Sequence, residues 1–241
     1  MVLVLYDYNM RRKVKFAPNH FYHVYNRGTD KRQIFLDDVD YLRFIAGLLY
    51  FNDQKATVAG LGDALSGGNL FENPAVLGAR NPLVHIHSFN LMPNHFHLLL
   101  EELVADGISV FMRKLGTAYA MYFNLKNQRS GNLFQGRFKA VEVSEDRHFL
   151  YLPYYIHANP LDLMGSNWRE REIVQHGRSL AYLKNYRWSS HLDYMGIANF
   201  PTVIHRDLLD KVFEQAGGYK KSFDQWLRSM DVGLNPNIRL D

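Results

Sequence analysis

The sequence predicts an α+β chain: a ferredoxin-like βαββαβ antiparallel sheet with added helices at the C-terminus. Three observations predict it. Short aromatic and β-branched runs at 20–26, 83–91, 95–101 and 132–143 have strand composition. Helical periodicity fills the gaps after the first and third runs. Only Met92-Pro93-Asn94 separates the second run from the third, which allows a hairpin and nothing longer.

The elements come in order. HFYHVYN (20–26) is the first strand, and Arg27-Gly-Thr-Asp-Lys-Arg32 is a polar turn rich in hydrogen-bond donors. Asp37 is placed to cap a helix running through Tyr50, with Tyr41, Phe44, Ile45, Leu48 and Leu49 on one stripe. Residues 53–82 lose periodicity and gather Gly60, Gly62, Gly67, Gly68 and Gly78, so they read as a long loop or insertion with room for one short helix. LVHIHSFNL (83–91) and HFHLLLE (95–101) form the hairpin. Apolar residues at 108, 111, 115, 119 and 122 mark the second helix. NLFQGRFKAVEV (132–143) is the fourth strand, with a bulge at Gly136. Ser144 caps a further helix whose first turn holds Glu145 and Asp146, which Pro153 kinks or restarts and Pro160 stops. An amphipathic helix is expected near 206–215. A sheet of this order carries helices on one face and leaves the other open to a ligand.

Composition sets outer bounds. The chain has 241 residues, 47% of them hydrophobic, which is ample for a core. It has no cysteine, so disulfides and thiolate metal sites are excluded, in keeping with a reducing cytoplasm. MVLVLYDYNM lacks the basic start and cleavage site of a secretory signal, and no apolar run reaches the roughly 20 residues of a membrane helix. The expected location is cytoplasmic, without membrane partners. A net charge of +4 permits nucleic-acid binding without establishing it.

Three groups of residues carry chemistry. Side chains alternate along a strand, so His95 and His97 share a face while Phe96, Leu98 and Leu100 take the other. Two imidazoles so spaced can chelate a divalent ion. A chain with 11 histidines also holds such pairs by chance, and a second stands at His85 and His87. The plain alternative is a pair of ordinary strand histidines. In Tyr155-Ile-His-Ala-Asn159, the i, i+4 spacing turns Tyr155 and Asn159 the same way on a helix. Asn159 can then offer an amide oxygen beside the imidazoles while Tyr155 presents its phenol; the alternative is a core tyrosine and a helix-end amide. Tyr154 lies about 100° round the helix and His157 points elsewhere. Basic and polar residues interleave with aromatics at Asn26, Arg27, Lys31, Arg32, Arg137 and Lys139, suiting phosphates and unpaired bases. Arg113 and Lys114 read as helix surface.

Taken together, FYHVYNRGTDK (21–31), LMPNHFHLLL (91–100), MRKLGTAYAMYFN (112–124), SGNLFQGRFKA (130–140), YIHANP (155–160) and YRWSS (186–190) resemble one family in order and spacing. It is that of the REP-associated tyrosine transposases, a branch of the single-tyrosine HUH transposases of small insertion sequences. The resemblance covers roughly residues 20–195. It implies that His95 and His97 are the metal-binding pair and His85 and His87 a decoy. It implies that Tyr155 is the nucleophile and Asn159 completes the metal site. On this reading 1–165 is the HUH transposase-like catalytic domain, with the insertion at 53–82, and 166–241 a C-terminal helical extension. The substrate implied is single-stranded DNA near an imperfect hairpin.

The chemistry so implied is metal-dependent cutting and rejoining of that strand through a 5′-phosphotyrosine. Two imidazoles favour zinc or manganese, whereas phosphate and an amide oxygen suit magnesium; the resemblance implies Mg²⁺ or Mn²⁺. No glycine loop for a nucleotide triphosphate is present, as befits chemistry that stores bond energy in a covalent link. The alternatives are a non-catalytic single-stranded nucleic-acid-binding protein and a metal-dependent hydrolase that does not use Tyr155. Monomer and homodimer are both open.

Overall fold

A computed structural model describes residues 14–66, 70–72, 74–144, 146–165, 168 and 176–229. Expectations touching 1–13, Gly67, Gly68, Glu145 and the last twelve residues lie outside that set. Among the described residues, four strands form one antiparallel sheet in the order β2-β3-β1-β4. They are β1 (Phe21–Arg27), β2 (Val84–Met92), β3 (His95–Glu102) and β4 (Lys139–Glu142). This is the ferredoxin-like order and the α+β class expected, with β1 and β3 central.

Helix α1 (Asp38–Phe51) starts where Asp37 accepts a hydrogen bond from the Asp40 amide. Its buried stripe joins that of α3 (Gly107–Lys126) on one side of the sheet, where Phe44 lies 5.0 Å from Phe96, centroid to centroid. Phe96, Leu98 and Leu100 are buried on this side, as alternation requires. The 53–82 segment holds α2 (Gly60–Ser66) and a 3-10 turn at Pro74–Leu77, one short helix more than expected. It is tied back by Arg80, which donates to the carbonyls of Leu49 and Asn52 at the end of α1. Those carbonyls have no partner inside the helix.

Two expectations need correcting. The fourth strand is four residues long rather than twelve: Phe134 makes only an isolated bridge to Gly28, and Gly136 takes φ 139°, outside strand geometry. Arg137 therefore precedes the strand. The second face of the sheet is covered instead of open. Helix α4 (Asp146–Ala158) lies across it, continuous through Pro153, and passes into a 3-10 turn over Asn159–Met164 that includes Pro160. Pro153 sits in the helix without a restart, and the α-helix ends at Ala158, just short of Pro160, as expected.

The cover continues with α5 (His176–Asn185), α6 (His191–Tyr194), α7 (Asp207–Gln215) and α8 (Tyr219–Ser229). Ser189 bridges to Asn90, and the Ser190 hydroxyl accepts from the Phe89 amide, stitching this part to the free edge of β2. Tyr154 packs among Phe213, Tyr219, Phe223 and Trp226, away from Tyr155. In β2 the register slips by one residue between Ile86 and Ser88. That bulge keeps Phe89 and Leu91 on the core side and turns Ser88 and Asn90 toward α4.

Candidate active site

Cross-strand partners in an antiparallel sheet share a face. Tyr25 and Asn90 flank His97, and Arg27 and Met92 flank His95, so all of them look toward α4. The rings of His95 and His97 stand 5.0 Å apart. From α4, the Tyr155 ring meets His97 edge-on at 6.1 Å and His23 at 6.3 Å. Asn159, one turn further on, donates its side-chain N–H to the Tyr155 carbonyl at 2.7 Å, so any ligand atom it offered would be the amide oxygen. The paired imidazoles and the phenol thus meet in one place.

The surroundings fit a cation. His97 Nδ1 and His23 Nε2 are 2.9 Å apart, with both side chains fully buried. Burial holds His23 far below the usual imidazole range, at about 3, so its ring is neutral. A neutral ring that binds the far nitrogen of a ligand histidine fixes that ligand's tautomer and orientation. Asn90 is fully buried beside His97, and neither its amide oxygen nor its nitrogen has a hydrogen-bond partner among the described residues. An amide left so is expensive unless an ion, water or substrate completes it. Tyr25 lies 6.2 Å from His97, its phenol pushed up in pKa by burial and then by the neighbouring Tyr155.

Tyr155 itself is only 5% exposed, with Trp168 at 5.7 Å on its other side. The open ligand face that the fold class suggested is roofed over here, and the roof is built from α4 and the C-terminal helices beyond it.

The other predicted residues divide three ways. Arg27 and Lys139 border the histidine pair: Arg27 is His95's cross-strand partner, and the Lys139 ammonium stands 6.0 Å from the centre of the Tyr25 ring. Asn26 and Arg137 line a separate groove of about 930 Å³ toward α3, where Asn26 donates to the Gly136 carbonyl. Lys31 and Arg32 sit in the turn after β1, Arg32 bonded to the Thr29 carbonyl and 3.6 Å from Asp30. Arg113 lines the same groove as Arg137, while Lys114 donates to the Asp53 carbonyl. His157 points away from the site, to Tyr219 and Ser190. Sequence reasoning missed His23, Tyr25 and Asn90. Their signal was parity: the strand that carries Arg27 carries His23 and Tyr25 on the same side.

Fold and site define a sheet-borne pair of histidines facing a helix-borne tyrosine. Residues 79–159 match the model of the IS200-like transposase family. That stretch runs from β2 through Asn159 and holds both histidines and the tyrosine, so the resemblance to the transposases of small insertion sequences stands over it. No curated relative matches the chain. Among solved structures it is similar to a REP-associated tyrosine transposase bound to a REP hairpin, at 13% identity and a TM-score of 0.48, over 82% of this chain and 92% of that one. It is also similar to a putative transposase from Deinococcus radiodurans R1, at 17% identity and a TM-score of 0.30, over 61% of this chain and 95% of that one. Among the described residues no helix is long and apolar enough to cross a membrane.

Proposed function

We propose that the chain is a transposase of the single-tyrosine kind, cutting and rejoining single-stranded DNA beside a hairpin. Tyr155 is the nucleophile, and His95, His97 and Asn159 hold a divalent ion, Mg²⁺ or Mn²⁺. One observation carries the reading: the Tyr155 ring stands 6.1 Å from His97, on the same face as His95. The match of residues 79–159 to the IS200-like family supports it.

A free tyrosine has a pKa near 10 and attacks poorly at neutral pH. A divalent ion, when bound, polarises the scissile phosphate and stabilises the charge that develops on it. The Tyr155 oxygen loses its proton and bonds to phosphorus. The bond from phosphorus to the 3′ oxygen breaks, and that oxygen leaves as a 3′-hydroxyl. The 5′ side stays attached as a phosphotyrosine. Rejoining reverses the steps with an incoming 3′-hydroxyl, so no triphosphate is consumed. His23 holds His97 in place, while Arg27 and Lys139 offer positive charge to the strand on either side. The 1–165 unit does the chemistry, and its own α4 together with the helices from α5 to α8 roofs it.

The test is a denaturing gel with labelled single-stranded hairpin DNA, with and without Mn²⁺. The wild type forms a protein–DNA adduct that chelator abolishes. Tyr155→Phe keeps DNA binding and gives no adduct, and His95→Ala loses metal-dependent cleavage. Normal cleavage by Tyr155→Phe refutes the assignment. The burial of Tyr155 favours one second reading, a nucleic-acid-binding protein without catalysis. That protein would bind regardless of metal and give no adduct.

A further inference from the structure

The second histidine pair is more than a repeat of the first. We infer that His85 Nδ1, His87 Nε2 and Glu101 Oε2 form a separate site for a zinc-class transition-metal ion, at the free-edge end of the sheet.

The three donor atoms lie within 4.8 Å of one another. Both ring nitrogens are 3.0 Å from the same carboxylate oxygen. Ligands about 2.0–2.1 Å from a tetrahedral ion stand roughly 3.3 Å apart, so the group is nearly preformed. The tautomer strengthens the case. His87 Nδ1 lies 3.1 Å from the His205 carbonyl oxygen, which can only accept, so Nδ1 carries the hydrogen. In a neutral ring Nε2 then bears a lone pair aimed at a carboxylate oxygen, an arrangement that repels unless a cation lies between. A backbone carbonyl on the far nitrogen is also the usual way a metal-binding histidine is oriented. The His87 side chain is fully buried and that of Glu101 only 16% exposed, so the cation is largely sheltered from water.

The site is distinct from the first. Glu101 is four residues beyond His97 on β3, roughly 13 Å along the strand. Its role is structural. The His205 ring stacks on His85 at 3.7 Å, and the His205 amide donates to the Ile86 carbonyl. An ion here pins residues 204–206, which lead into α7, onto β2 and β3. The rival occupant of the gap is a proton, making His87 an imidazolium paired with Glu101. The Glu101 carboxyl is held down at about 2, first by its contact with His87 and then by that with His85.

The experiment loads full-length, chelator-stripped protein with zinc, counts bound ion by mass spectrometry after desalting, and follows the melting temperature. Cobalt replaces zinc for visible spectra that report tetrahedral coordination. His95→Ala should keep one zinc, a tetrahedral cobalt spectrum and a zinc-dependent rise in melting temperature. Glu101→Gln should bind this zinc at least about tenfold more weakly and lose the spectrum. His85→Ala, whose side chain is partly exposed, should do the same and covers the case where Glu101→Gln does not fold. Zinc bound by the wild type but not by His95→Ala overturns the inference, as does Glu101→Gln binding like the wild type. Stability that ignores zinc but depends on His87 protonation assigns the gap to a proton and also overturns it. Since His95→Ala disables only the first site, failure here and failure of the transposase reading are separate results.

Discussion

Lowering the pH from 7 to 5 should loosen the seal between the sheet and the C-terminal helices. His157 and His191 both place Nδ1 2.7 Å from the Tyr219 hydroxyl, and His157 Nε2 is 2.7 Å from the Ser190 hydroxyl. Burial holds the His191 pKa down at about 3 and that of His157 well below normal. Both are therefore neutral when folded, whereas the unfolded chain takes up protons near pH 6.5. The stability they contribute is complete above pH 6.5 and is lost as pH falls toward the folded values. For His191 the loss between pH 7 and 5 comes to about 2 kcal/mol, and His157 adds to it with the same sign. Urea unfolding at the two pH values measures the sum. His191→Gln isolates one share, because its stability should fall less steeply by close to one proton. A mutant slope equal to that of the wild type would refute the reasoning.

Two further outcomes are expected. The fully buried Asp40 carboxylate accepts from the Leu36 amide at 2.8 Å, the Tyr122 hydroxyl at 2.9 Å and the Lys126 ammonium at 2.7 Å. Asp40→Ala should cost roughly 3 kcal/mol in urea unfolding, and a loss under about 1 kcal/mol would contradict this burial account. Arg27→Ala and Lys139→Ala should each weaken binding of single-stranded DNA evenly across sequences, lowering the salt slope by about 0.7; Arg32→Ala, already tied to Thr29 and Asp30, should change it less.

Much of this was readable in the residues, for physical reasons. Strong alternation in HFHLLLE gave the third strand and the shared face of His95 and His97, because one side must meet the core. The i, i+4 spacing placed Tyr155 and Asn159 one turn apart because α4 runs to Ala158, the residue before Asn159. What escaped reading depends on distant segments. Nothing local announces that residues beyond 189 fold back over the sheet, so the burial of Tyr155 was invisible. His23 gained meaning only once β1 and β3 were in register. The fourth strand was read too long because LFQGRF has strand composition while its backbone bridges only once to Gly28.

The surplus residue in β2 has a consequence for how this stretch can change over time. It acts as a phase shift: upstream of it the odd-numbered positions look toward α4, and downstream the even-numbered ones do. Both histidine pairs therefore open onto one surface although they are offset along neighbouring strands. Dropping a single amino acid there would leave the hairpin's length nearly intact. It would also restore one-to-one pairing, because Ile86 already faces Leu100 and Ser88 faces Leu99, so Phe89 and Leu91 would keep the core side and Asn90 its place beside His97. What the surplus residue adds is therefore room for a second imidazole beside Glu101, and not the facing of the strand that follows it.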